Sequence, residues 1–435
     1  MRFGRLVRGT SLLFVLVLPL FAGCGNNSVG VSEFSTSSSA KSRNLAPAST
    51  SASETAVVGA INELGVDLLH KAEDLAGNAV VTPFSASFAL AQLRAGAAGT
   101  TRGAIEGVMH LPSSVTDVDT VFNALDLSLR SRLDHYVIGL MSYEFVAGWT
   151  QTGYGYRVSF LDNLAENYGI TTGQADFARP LDAAYGSISS WSWHTAGFAA
   201  PALSGDTRLV LGGATQLPLS WQDPFDPAQT STGTFQLTDS SLENVRFLQK
   251  TAVIGKANGD GYVALALPFT WGQQFLIILP DQGRFAEIET TLTAARWQQI
   301  SQSLTPALLN LALPVFTITS SIGLDLGVAQ TKGSADFSGI DGTKDLFVSA
   351  AIHTSTLTID AAGLTARALT MHALDDGIPE TWASPGGGSG FIVSQTNTGP
   401  VSAENLILGR PFLFAVRDAT SGVLLLLGRV IDPLS

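Results

Sequence analysis

Between a strand-like run ending at Asp360 and a second one beginning near Pro411 lies a long irregular segment, and a stretch of that length between two strands is rarely mere connection. The upstream run, LFVSAAIHTSTLTID from Leu346, is rich in β-branched residues and alternates apolar and polar positions around Leu357 and Ile359, as a strand with one buried face does. After a flexible point at Gly363 the alternation resumes, with Leu364, Ala366, Ala368 and Thr370 on one side and Thr365, Arg367, Leu369 and Met371 on the other. A loop that keeps strand grammar can become a strand. Downstream, Asp375, Asp376, Gly377, Pro379 and the run SPGGGSG from Ser384 resist burial and offer a protease an accessible target.

The N-terminus reads as an export signal, with Arg2, Arg5 and Arg8 ahead of the apolar run LLFVLVLPLF and the small residues Ala22 and Gly23 before Cys24, the only cysteine. A transmembrane anchor is the alternative, disfavoured because the run is short for a bilayer span and is interrupted by Pro19. Phe21-Ala22-Gly23-Cys24 resembles a bacterial lipoprotein box, which implies residues 1–23 as signal peptide and acyl chains on Cys24 that hold the protein at a membrane. Gly25, in place of the aspartate that marks inner-membrane retention, implies an outer-membrane or cell-surface address. Residues 24–53, rich in Ser, Thr, Ala and Asn, read as a disordered tether, and 54–435 as one large domain. A net charge of −12 argues against nucleic acid as partner, since phosphate binding needs clustered Lys and Arg.

Helical spacing of Val57, Ile61, Leu64, Leu68 and Leu69 predicts a first helix over Ala56–Leu75, followed by a small-residue helix through Ser85, Ala89 and Leu93 and a third closed by Pro112. The helical pattern continues beyond Asp117 through Leu133, and a later helix is expected over Phe285–Leu304. Strands are expected at Val137–Met141, Leu209–Leu211, Tyr262–Leu267, Phe275–Leu279, Leu311–Ile318, Leu346–Ile359, Pro411–Val416 and Val423–Val430. Helices first and strands later give an α+β class.

Enzyme signatures are missing. The six histidines show no paired metal spacing, and neither HExxH, a GxSxG elbow, a phosphate loop nor a dinucleotide fingerprint occurs, so no metal or cofactor is expected. Asp375 and Asp376 lie in a segment without the rigid, desolvated geometry that acid–base work requires. His353, inside an apolar strand, reads either as a hydrogen-bonded core histidine or as a polar latch on a sheet that opens.

Several segments in order resemble the serpins, across nearly the whole chain from about Ala56. Asn78, Thr82, Pro83, Ser85 and Ser87 resemble the family's shutter segment; Gly96-Ala97-Ala98-Gly99-Thr100-Thr101 follows; then Asp176-Phe177, Ile188, Trp191, Thr195 and Gly197. Trp221 with Pro224-Phe225, Leu279-Pro280-Asp281, Leu313-Pro314, Ala335 to Ile340, His353 and the ending PFLFAVRDATSGVLLLLGRVIDP keep the order. The resemblance implies helices packed around three β-sheets with a long exposed reactive-centre loop at about 361–410. It further implies suicide inhibition of a target serine or cysteine protease by a monomer: the loop is cut, its hinge inserts into the central sheet, and the acyl-protease is distorted.

Carried onto this chain, the hinge is Gly363, Leu364, Thr365, Ala366, Arg367 and Ala368, with Gly363 as pivot, and Thr82, Ser85, Trp221 and His353 are the shutter and breach. The family's usual offset from the pivot falls at Gly377-Ile378, and Leu374 is the apolar alternative that suits elastase-like or chymotrypsin-like proteases. Three departures stand out. Leu364 replaces a threonine or serine and has to bury a branched side chain early; Arg367 and Leu369 are expected to face outward at little cost; and Gly213, after Gly212, replaces the asparagine that bonds the strand histidine, leaving His353 without its usual partner. The rival reading is a non-inhibitory serpin-fold surface lipoprotein.

Overall fold

The computed structural model describes residues 34–35, 38–72, 77–133, 143–178, 181–377 and 403–435. Its centre is a six-stranded sheet in the order β12 (Phe316–Gly323), β13 (Phe347–Ile359), β14 (Gly363–Asp375), β6 (Thr207–Ser220), β3 (Glu144–Gln151) and β5 (Thr172–Ala175). A second sheet runs β15 (Glu404–Ile407), β11 (Thr305–Pro314), β8 (Leu242–Gly259), β9 (Tyr262–Pro268), β10 (Gln273–Pro280), β16 (Phe412–Asp418), β17 (Leu424–Val430) and β2 (Ala79–Val81), with β7 (Ser231–Gln236) also on β8. The long β8 carries two of the three expected sheets into one. A small pair joins β1 (Phe34–Ser35) to β4 (Tyr156–Arg157).

Helices α1 (Ser51–Lys71), α2 (Pro83–Gly96), α3 (Gly99–Val108), α4 (Val118–Leu133) and α5 (Val158–Tyr168) gather on one side of the central sheet, and α6 (Leu181–Ala196) lies on the other. In α2 every residue but Ala95 is buried, and its Ser and Ala positions let the helix come close beneath β6 and β14. The Thr50 hydroxyl caps α1 by accepting from the Ser53 amide, so that helix spans Ser51–Lys71 rather than 56–75.

Three sequence readings change. The expected helix over Phe285–Leu304 is two, α7 (Phe285–Thr290) and α8 (Ala294–Ser303), because Thr293 leaves the helical conformation and its hydroxyl caps α8. The expected strand Leu311–Ile318 is split at Val315 between the two large sheets. The disordered tether does not extend to Ser53: Arg43 bonds Asn123 at 2.9 Å and pairs with the buried Asp126, and the Asn44 amide donates to the Glu166 carbonyl at 2.8 Å, so residues 38–50 pack on the domain. The predicted strand Val137–Met141 lies outside the described residues, as does Cys24. Among the described residues no helix is long and apolar enough to cross a membrane. A short helix, α9 (Ser338–Asp341), lies in the chain between β12 and β13.

Candidate functional site: an inserted strand and its polar latch

The strand-patterned segment after Gly363 lies inside the central sheet. β14 pairs antiparallel with β13 on one side, from Leu364 opposite Ile359 to Asp375 opposite Phe347, and with β6 on the other, from Gly363 opposite Ser220 to Asp375 opposite Thr207. Leu364, Ala366, Ala368 and Thr370 are all buried, while Thr365 and Arg367 are exposed. Leu364, at 2% exposure, joins the main core beside Leu219 and Ile359, so the branched side chain is accommodated. Leu369 departs from expectation: it faces away from α2 as predicted, yet it is fully buried, because α6 covers that face and packs Ile188 and Ala184 into a second core with Leu369, Met371 and Ala373.

The pivot is set by sterics. A Cβ on Gly363 would lie 1.9 Å from the Leu219 carbonyl oxygen, an impossible approach, so only glycine lets the chain turn into the sheet here. The Asp360 carboxylate accepts from the Ala362 and Gly363 amides at 2.8 and 3.0 Å and shapes the turn. Trp221 clamps it from outside: the indole N–H donates to the Asp360 carbonyl at 3.0 Å, and its backbone N–H to the Ala362 carbonyl at 3.0 Å. The ring stacks on Phe269 with centroids 4.6 Å apart and meets Phe225 and Phe275 edge-on, which fixes the clamp in the core.

At the middle of the sheet His353 is buried and, with glycine at 213 in place of the usual asparagine partner, is bonded by other groups. The Thr82 amide donates to its Nε2 at 3.1 Å, so Nε2 is the acceptor nitrogen and Nδ1 carries the proton, which it donates to the Thr370 hydroxyl at 2.8 Å. The missing asparagine is thus replaced by a residue of the inserted strand. Burial, and secondarily His372, push the His353 imidazole down to about 4, so it is neutral at pH 7. His372, also buried and pushed down to about 4, has no hydrogen-bond partner on either ring nitrogen among the described residues.

Glu144 was not foreseen. This carboxyl on β3 is 1% exposed, accepts from Thr215 at 2.5 Å and from Ser85 at 3.4 Å, and is pushed up by burial to about 8. It is therefore mostly protonated at neutral pH. The available signal was a carboxylate in the otherwise apolar run SYEFVAGW.

Leu374 is buried within β14 between Val348 and Leu209, so a cut after it would sever the inserted strand. Gly377 lies just past the strand's end against Asp206, and Ile378 lies outside the described residues. Arg208 pairs with Asp376 at 2.8 Å, and Ser204 and Thr207 bond Asp375, so the distal end of β14 is pinned by polar contacts. Meanwhile β15, which follows residues 378–402, pairs in parallel with β11 from Leu309 to Ala312. Among the described residues no cluster of His, Cys, Asp and Glu is suited to a metal.

The central sheet thus carries, as its middle strand, the segment that follows the Gly363 pivot. The family model described as Serpin (serine protease inhibitor) matches residues 59–433, and the chain belongs to the serpin family. It is 29% identical over 398 residues to a serpin-like protein of Thermococcus kodakarensis, covering 87% of this chain and 86% of that one. It is 25% identical over 385 residues to the human leukocyte elastase inhibitor, covering 82% of this chain and 94% of the inhibitor. A cleaved, loop-inserted ovalbumin mutant superimposes with a TM-score of 0.72 at 19% identity, covering 87% of this chain and all of that one. The family relationship supports protease inhibition in general terms.

Proposed function

We propose that this protein is a suicide-substrate inhibitor of an exogenous serine or cysteine protease, cut beyond β14 in the segment that begins at Gly377. Cleavage frees the hinge, β14 zips between β13 and β6, and the acylated protease is carried along and distorted. The observation that carries this reading is the fit of β14 as a central strand. Its inward set contains no charge, Gly363 meets a steric demand only glycine satisfies, and Thr370 completes the bonding of His353. The leukocyte elastase inhibitor relationship favours elastase-like targets, whereas Leu374, buried within β14, is set aside as the bait residue. We further propose that Cys24 is acylated and holds the inhibitor on a bacterial envelope, where it shields the surface as a monomer.

A panel of proteases mixed with the purified protein and run on a denaturing gel tests the inhibition. An SDS-stable adduct is expected, and clean loop cleavage without adduct rejects it. Mass spectrometry of the released C-terminal peptide locates the cut, with the bond after Gly377 as the expected site. Labelled-palmitate incorporation that persists in a Cys24→Ala variant would reject lipidation at that residue.

One observation favours the non-inhibitory alternative: the continuous chain holds β14 in the sheet while β15 stays on β11. On that reading the uncut protein is already relaxed and traps nothing. Unfolding the protein before and after loop cleavage separates the two, because the inhibitor gains heat stability on cleavage and the relaxed form does not.

A further inference from the structure

The register places His353, Thr370 and Gly213 side by side on β13, β14 and β6, with Thr370 standing between the other two. Remove β14 and close the gap, and His353 comes to lie beside Gly213. Its Nδ1 proton has then lost the Thr370 acceptor, while Nε2 remains engaged by the Thr82 amide. A buried N–H without an acceptor is costly, so the closed sheet has to supply another. Gly213 has no side chain to offer. The space where one would stand is occupied from the next strand: a Cβ built on Gly213 would lie 2.9 Å from Glu144 Oε1, with Ser85 Oγ 4.0 Å away. Glu144 pairs with Thr215, two residues along β6 from Gly213, and its carboxyl leans back over the glycine.

We propose that Glu144, reaching through the space left by Gly213, is the acceptor for His353 when β14 lies outside the sheet, and so latches the sheet shut against premature insertion. The inference rests on the functional reading above, in which the loop is outside before cleavage. On insertion Thr370 takes over the His353 proton and Glu144 keeps Thr215 and Ser85. The latch is therefore exchanged, with no polar group abandoned in either state. Glycine at 213 and glutamate at 144 are one unit: the first makes the room that the second fills.

That pairing is tested by a compensation experiment. Glu144→Ala, Gly213→Asn, the double variant and Glu144→Gln are prepared in the full chain, and the rate at which uncut protein converts to a heat-stable form is followed beside the yield of protease adduct. Glu144→Ala should convert roughly tenfold faster than the unaltered chain, the effect of one lost buried hydrogen bond. Gly213→Asn alone should lower stability by crowding the carboxyl. The double variant, whose introduced asparagine side chain fills the vacated space, should return to within about threefold of the unaltered rate, and Glu144→Gln, which keeps an acceptor, should stay there too. A double variant as fast as Glu144→Ala, or a Glu144→Gln as fast, overturns the latch. If the unaltered chain itself neither forms adducts nor gains heat stability on cleavage, the functional reading falls and the latch with it. Adduct formation without rescue removes the latch alone.

Discussion

The two halves of β14 live in different surroundings. From Gly363 to Ala368 the strand alternates between a buried face and solvent, with Thr365 and Arg367 exposed; from Leu369 to Leu374 both faces are buried, one toward α2 and the other beneath α6. The hinge half is thus placed mainly by the glycine pivot and the Trp221 clamp, and the distal half by apolar burial on two sides. On the proposed mechanism the first governs whether insertion starts, and the second holds it once complete.

The sharpest way to break this contrast is a charge in the distal half. Met371→Asp should destabilise the inserted form by roughly 4 kcal/mol or more, since a buried unpaired carboxylate has no compensating group there, and thermal unfolding of the cleaved protein reads it directly. Next, Gly363→Val should cost about 3 kcal/mol or prevent insertion, giving complete cleavage with no gain in heat stability, because its side chain collides with the Leu219 carbonyl.

Acid should weaken the distal half specifically. His372 sits at about 4 when buried and near the ordinary 6.5 when free, so the free loop binds a proton that the inserted strand excludes. On the proposed mechanism, insertion is fully favoured above about pH 6.5 and loses on the order of 2–3 kcal/mol as pH falls toward 4. Glu144, pushed up, works oppositely, its contribution falling as pH rises from 4.5 to about 8. A melting series of the cleaved protein across pH 4–8 with His372→Leu as control checks this: the variant should lose about half of the acid-side fall, the rest belonging to His353, which is likewise pushed down to about 4. Smallest of all, Arg367→Ala on the exposed face of the hinge half should shift stability by no more than about 0.5 kcal/mol in the same assay.

The strand itself was legible because alternation is a property of neighbouring residues: Leu364, Ala366, Ala368 and Thr370 announce one face whatever surrounds them. Leu369 was not, since its burial depends on α6, a helix far away in sequence that covers the second face. Gly363 was readable as a pivot from its place in the pattern, but the Leu219 carbonyl that forbids any other residue belongs to another strand. Similarly, the loss of an asparagine at Gly213 was visible, whereas its replacement by Thr370 in one direction and the filling of the space by Glu144 in the other depend on register across three strands. The break between α7 and α8 had a local cue in Thr290-Thr291-Leu292-Thr293, and the packed N-terminal segment had little, because one arginine reaching a buried aspartate outweighs a disordered composition.

The turn at Asp360-Ala361-Ala362, held by Trp221, makes β13 and β14 a hairpin with three residues between its arms. A hairpin closed by so short a loop adds each further pair at almost no extra loop-closure entropy, so pairing is cheapest when it advances in order from Leu364 opposite Ile359 toward Asp375 opposite Phe347. Contact order for this step is as low as a sheet allows. The large rearrangement that the proposed mechanism requires is thereby broken into a sequence of short local moves, each a few ångströms beyond the last.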